Sequence, residues 1–313
     1  MRYEQAILVS CEIPWNRGKE LLEDVFREEI RSVLGRGYRD LYIFGTAGEG
    51  YAVDTATFRQ IVEIFHEETR DSSVRPMVGV IDLSTSKVIE RIAVAWEVGF
   101  RTFQIALPCW GVVSDTEMIR FFEDVCGSFP EGQFLHYNLL RTKRLVTPAE
   151  YQQIAGLVPN LCATKNTAYT PYQIAALMGS APELQHFFSE VGFAFGSLYG
   201  ECSLLSSYGA LFPKRTHELF RYGVEKRWSE LFPLLAEIVK AADAVLDPVR
   251  RSLFMDGAYD KLVKRLGGLD QMPLSLLSPY ESFTEQEYVA CAEIAANFAS
   301  WEDCAGTPGA NVS

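Results

Sequence analysis

FLHYNLLRTKRLVTPAEYQQIAGLVPNLCATKNT, residues 134–167, holds two short apolar runs joined by a helical stretch, and each run closes on a reactive side chain: Tyr137 in the first, Lys165 in the second. Side chains alternate faces along a strand. Gln133, Leu135 and Tyr137 therefore share one face, and Leu161, Ala163 and Lys165 share another; Cys162 faces opposite to Lys165. If the runs are successive parallel strands, Tyr137 and Lys165 end neighbouring strands about 5 Å apart.

The same alternation extends in both directions. Strands are expected at 6–10, 40–44, 75–79, 102–106, 133–137, 161–165, 184–188 and 202–206, with helical spacing between them. In LLEDVFREEIRSVLGRG, Leu22, Val25, Phe26, Ile30 and Val33 form one apolar stripe that glycines 35 and 37 close. Eight strand–helix units over about 210 residues predict an α/β chain closed as a (β/α)8 TIM barrel. An open doubly wound sheet is the competitor, disfavoured because no G-x-G-x-x-G follows the first strand. The barrel is assigned to 1–212, a helical C-terminal extension to 213–302, and a small, polar, disordered tail to 303–313.

Composition narrows the function classes. The chain has 313 residues, 48% hydrophobic, with a net charge of −12. Its densest basic run is RTKR, so nucleic acid is not an expected partner. No apolar run reaches the roughly 18–20 residues that span a bilayer. The seven cysteines are scattered, with no C-x-x-C pair and no secretory leader, which predicts a cytoplasmic protein with reduced thiols. His66, His136, His186 and His217 lack metal-ligand spacing, so no metal is expected.

A lysine at the mouth of an apolar barrel invites a chemical reading. Desolvation lowers its pKa, a neutral amine attacks a ketone to give a Schiff base, and a nearby tyrosine can shuttle the protons. Lysines and tyrosines also end strands for solvation or packing alone, so the spacing leaves both readings open. The turn GTAGEG, residues 45–50, adds backbone N–H groups and the Thr46 hydroxyl that can hold an anion. A tight turn with Asp54 or Thr55 as helix cap is the alternative.

Taken together, GTAGEG after strand two, YN at the end of strand five, and a lysine in ATKNT on strand six resemble the dihydrodipicolinate synthase / N-acetylneuraminate lyase family of class I aldolases. The resemblance covers about residues 5–300. It implies that Lys165 is the Schiff-base lysine for pyruvate or another 2-oxo acid, that Tyr137 donates and accepts protons at the new bond, and that Thr46 relays them. The backbone at Thr46, Ala47 and Gly48 would hold the substrate carboxylate. No cofactor is then required, because the iminium itself is the electron sink. Homodimers or homotetramers are usual in the family.

The departures matter. Ala47 stands where most members carry a second hydroxyl residue, and Leu140 replaces a usual proline. Arg141 lies one position before the synthase arginine that grips a second carboxylate. Cys109 and Trp110 replace an aromatic pair whose second member, in the synthases, is a tyrosine lent across a dimer interface; indole cannot relay a proton from oxygen. Dihydrodipicolinate synthesis is therefore discounted. Glu190 and Ser207 are candidates for a substrate hydroxyl or amine, Glu190 being alternatively a solvated loop acid. The expected function is a 2-oxo acid aldolase or lyase taking an aldehyde partner. A dehydratase using the same imine and a non-catalytic carboxylate-binding protein are the alternatives.

Overall fold

All eight apolar runs form strands, and the strands close on themselves. The computed structural model describes residues 2–167 and 169–301. The strands are β1 Ile7–Ser10, β2 Asp40–Ile43, β3 Arg75–Gly79, β4 Thr102–Ile105, β5 Gln133–Asn138, β6 Leu161–Asn166, β7 Gln185–Phe188 and β8 Ser203–Leu205. Each pairs in parallel with the next, and β8 pairs with β1, so no edge is left open. The helices are α1 Glu23–Gly35, α2 Thr55–Glu68, α3 Thr85–Val98, α4 Asp115–Gly127, α5 Pro148–Leu157, α6 Pro171–Ser180, α7 Glu190–Gly196, α8 Pro213–Val224, α9 Trp228–Val245, α10 Asp256–Leu266 and α11 Glu285–Ala295. Residue 213 opens α8, the helix that completes the eighth unit; α9, α10 and α11 follow it. The expected tail, 303–313, lies outside the described residues.

Local chemistry sets the helix starts. Ser114, Thr147, Thr170 and Thr284 each accept from the backbone three residues on, and Glu117, Glu150, Gln173 and Glu287 bond back, giving four reciprocal caps. Pro148 and Pro171 stand at first helical positions, where no N–H is needed. The stripe read in α1 is the face it buries: Val25, Phe26, Ile30 and Val33.

The barrel interior is a packed cluster that includes Leu8, Tyr42, Met77, Leu135, Ala163, Phe187 and Leu205. At the N-terminal end, Asp40 accepts two hydrogen bonds from Arg75, at 2.7 and 2.8 Å, and one from Tyr3 at 2.8 Å. Cys162 departs from the alternation. The β5–β6 register runs Phe134↔Leu161 and then Leu135↔Ala163, so Cys162 is an extra residue in the ladder. This bulge turns its thiol into the interior cluster, to Phe134 O at 3.2 Å, rather than opposite to Lys165.

Candidate active site

The C-terminal ends of the strands surround a cavity of about 160 Å³. Tyr137 and Lys165 enter it as direct register partners on β5 and β6. Tyr42 comes from β2, Thr46 and Ala47 from the turn after it, and Ser10, Ser206 and Ser207 from the ends of β1 and β8. Asp256 and Asp260, one turn apart on α10, close the far side.

Lys165 is buried, with 3% of its surface exposed. Its ammonium donates to the Tyr42 hydroxyl at 2.9 Å and lies 4.0 Å from the Tyr137 ring centre and 4.3 Å from that of Tyr42. Among the described residues, no carboxylate forms a salt bridge with it. Burial therefore wins over the attraction of Asp260, Asp256 and Glu12, and the pKa falls to about 8. Tyr137 is shifted the other way: burial, then the charge of Asp256, raises its pKa, while the hydroxyls of Thr167 and Thr46 partly offset this through hydrogen bonds. The pair at rest is thus a phenol beside an amine that can be neutral near physiological pH.

The GTAGEG turn is shaped by close approaches. A side chain at Gly48 would come within 2.7 Å of the Phe44 backbone nitrogen, and one at Gly257 within 2.7 Å of the Ala47 carbonyl. The second contact lets α10 lie directly on the turn and brings Asp256 and Asp260 over Lys165. Glu49 in the same turn faces away from the cavity. Fully buried, it accepts from Lys261 at 2.6 Å, the Trp15 indole at 2.9 Å and the Leu277 amide at 2.6 Å, anchoring the C-terminal helices to the barrel.

Of the residues singled out in the sequence, the structure brings Lys165, Tyr137, Thr46, Ala47 and Ser207 to one cavity, with Gly48 in its wall turn. Three others stand elsewhere or are already engaged. Glu190 is not a solvated acid, and its carboxylate is engaged by the protein itself. It is 4% exposed, and its carboxylate accepts from the Ser207 and Tyr208 amides at 2.7 and 3.1 Å and the Ser206 hydroxyl at 3.3 Å. Its role is to hold the loop after β8 in place. The Trp110 side chain is 82% exposed on the loop after β4, outside the cavity, and its carbonyl is held by Lys143 at 2.8 Å. Arg141 reaches the cavity rim but is paired two-point with Asp256, at 2.9 and 3.0 Å. Arg144 pairs with Asp115 at 2.7 Å and also with Glu150. Both arginines of RTKR are therefore paired with carboxylates.

Sequence reasoning missed Ser10, Tyr42, Thr167, Ser206, Asp256 and Asp260. The two aspartates had a readable signal, since MDGAYDKLVK repeats its acids at i and i+4 on a helix. His136 bonds Tyr151 at 2.6 Å, and His186 bonds Thr164 at 2.7 Å and the Ala181 carbonyl at 2.9 Å, so both tie strands to neighbouring segments. Among the described residues, no three His, Cys, Asp or Glu side chains are grouped to hold a metal ion. Nor is any helix among them long and apolar enough to cross a membrane.

A closed (β/α)8 barrel with a desolvated lysine on β6 and a tyrosine beside it on β5 defines a class of barrel with a buried amine at the C-terminal ends of its strands. A profile of the Dihydrodipicolinate synthetase family matches residues 4–295, and the chain belongs to that family. Among curated proteins it is similar to the N-acetylneuraminate lyases of Salmonella typhimurium and Salmonella newport, each 22% identical over 198 residues, 63% of this chain. The match spans 66% of those relatives' length. Among solved structures, dihydrodipicolinate synthase from Aquifex aeolicus superposes with a TM-score of 0.82 at 14% identity, covering 95% of this chain and 98% of that one. N-acetylneuraminate lyase from Fusobacterium nucleatum gives 0.81 at 16%, covering 94% and 98%. A prophage protein of the same family from E. coli K12, solved in complex with pyruvate, gives 0.78 at 16%, covering 96% and 99%. These likenesses establish the fold.

Proposed function

We propose that the protein is a class I aldolase or lyase that binds a 2-oxo acid as an imine on Lys165 and makes or breaks a carbon–carbon bond. The observation that carries this reading is the buried Lys165 amine, lowered to about 8, in register with Tyr137 at the barrel mouth. Family membership and the lyase relatives support it.

The neutral amine attacks the keto carbon, and Tyr137 gives its phenolic proton to the departing hydroxyl, so that water leaves, the iminium forms and Tyr137 is left as a phenolate. In the cleavage direction Tyr137 takes the proton from the substrate hydroxyl as the carbon–carbon bond breaks, and the iminium accepts the electron pair as an enamine. The same phenol then protonates the enamine carbon. Thr46 and Thr167, within hydrogen-bonding reach of Tyr137, pass these protons on. The turn amides around Thr46 and Ala47 hold the substrate carboxylate. No metal or organic cofactor enters this scheme.

The aldehyde end of the cavity is acidic and hydroxylated: Asp256, Asp260, Ser206 and Ser207. With Arg141 paired to Asp256, that end does not suit a second carboxylate, which supports an acceptor other than the one used in dihydrodipicolinate synthesis.

Reductive trapping tests the reading. Pyruvate with borohydride should add one pyruvate-derived mass to Lys165, absent in Lys165→Ala. A folded protein giving no adduct with pyruvate or longer 2-oxo acids overturns it.

A further inference from the structure

The cavity holds one carboxylate more than the protein answers. Gly257 lets α10 lie on the GTAGEG turn, and two acids one turn apart on that helix, Asp256 and Asp260, line the space that Lys165 enters. Asp256 is met by the two-point bond from Arg141. Asp260 is partly buried, and among the described residues no hydrogen bond or ion pair reaches its carboxylate. The cations nearest to it are engaged elsewhere. Lys261 donates to Glu49 at 2.6 Å and to the Ser275 carbonyl at 2.8 Å. Lys264 stands 3.1 Å from Glu29 and also donates to the Ser10 carbonyl. Lys165 donates to the Tyr42 hydroxyl at 2.9 Å.

A bound 2-oxo acid does not change this balance. It brings one carboxylate, and the iminium fixes one positive charge on Lys165, so the two cancel. Arg141 and Asp256 cancel as well. The rest of the lining is hydroxyl, phenol or apolar, which leaves Asp260 alone without a counter-ion. A carboxylate drawn out of water is costly when unpaired. Left so, its pKa is pushed up by burial and then by the charges of Glu12 and Asp256, against the pull of Lys264 and Lys165. An arriving cation draws the carboxyl back to its ionised form, and the proton goes to solvent. The hydrogen bond it then makes is charge-assisted and roughly twice as strong as a neutral one. The Ser207 hydroxyl lines the same cavity and can accept a second N–H of the same ammonium group. A hydroxyl on the ligand would gain less from Asp260, and a carboxylate would be repelled.

We propose that Asp260 is the specificity-determining residue for the acceptor, and that the acceptor is a short aldehyde carrying an ammonium group and no second carboxylate. The inference rests on the imine reading above. It names the partner of the 2-oxo acid and places its cationic end on α10, across the cavity from the strand ends that carry Tyr137 and Lys165.

Pyruvate consumption with 3-aminopropanal, 3-hydroxypropanal and butanal compares three end groups at one chain length, chosen short because the cavity is only about 160 Å³. In the native protein kcat/KM for 3-aminopropanal should exceed that for each of the other two about tenfold or more. In Asp260→Asn, which keeps the shape and removes the charge, both ratios should fall towards one. The ratios are taken within one protein, so a general loss of rate in the variant cancels. Native ratios of one or below overturn the proposal without any variant, and so does a folded Asp260→Asn that keeps the native ratios. A native protein that traps pyruvate on Lys165 and exchanges the pyruvate methyl protons for deuterium, but condenses none of the three aldehydes, also overturns it and leaves the imine reading standing. No adduct with pyruvate or longer 2-oxo acids overturns the imine reading itself.

Discussion

At the scale of single residues, the charge state of Lys165 is set by two opposing effects with a clear winner. Burial lowers its pKa, nearby carboxylates raise it, and the net result is about 8. The neutral fraction of the amine therefore grows about tenfold per pH unit below that value and levels off above it. The initial rate of pyruvate trapping should follow the same curve, and a rate flat between pH 6 and 9 would contradict it. Tyr137→Phe keeps the ring against the ammonium but removes the proton carrier. Borohydride adducts should persist in this variant while methyl exchange slows by roughly 10²–10⁴-fold. The juxtaposition of the two side chains was legible in the sequence, because strand alternation and a single register choice bring residues 137 and 165 together. The fate of Glu190 was not legible, because its partners are backbone amides at 207 and 208, and no side-chain pattern records them. Cys162 was misread for a related reason: one bulged residue reverses the alternation on which face assignment depends.

At the scale of elements, the barrel was readable and its cover was not. Apolar runs, glycine-closed stripes and capping pairs are local, so all eight strands and their order followed from the chain. What α10 covers depends on contacts more than 200 residues apart, such as Glu49 with Lys261 and Ser10 with Lys264. These contacts bring Asp256 and Asp260 into the cavity. The Glu49–Lys261 pair is fully buried at 2.6 Å, so breaking one side leaves an uncompensated charge. Lys261→Met should cost roughly 3–5 kcal/mol, whereas Glu49→Gln with Lys261→Met should recover part of the loss. Denaturant midpoints of the two proteins would show this ordering, and equal midpoints would mean that the pair does not fasten α10.

At the scale of the whole molecule, exposed apolar groups gather on two neighbouring loops. Trp110 is 82% exposed, Val112 64% and Leu140 67%, and the loops that carry them are joined by the Lys143 bond to the Trp110 carbonyl. Large aromatic and aliphatic side chains gathered on neighbouring loops are a common signature of an interface. The net charge of −12 opposes association at low ionic strength and is screened at physiological salt. We expect sedimentation velocity at about 0.15 M salt to show a dimer or larger assembly, and Trp110→Ser with Leu140→Asp to shift it towards monomer. If the indole only packs against the partner, the separated chains should still trap pyruvate on Lys165. If it helps to close the cavity of the neighbouring copy, trapping should weaken in step with dissociation. A native protein that is monomeric at all accessible concentrations would remove the interface, and would leave Trp110 as a solvent-facing side chain with no part in the chemistry.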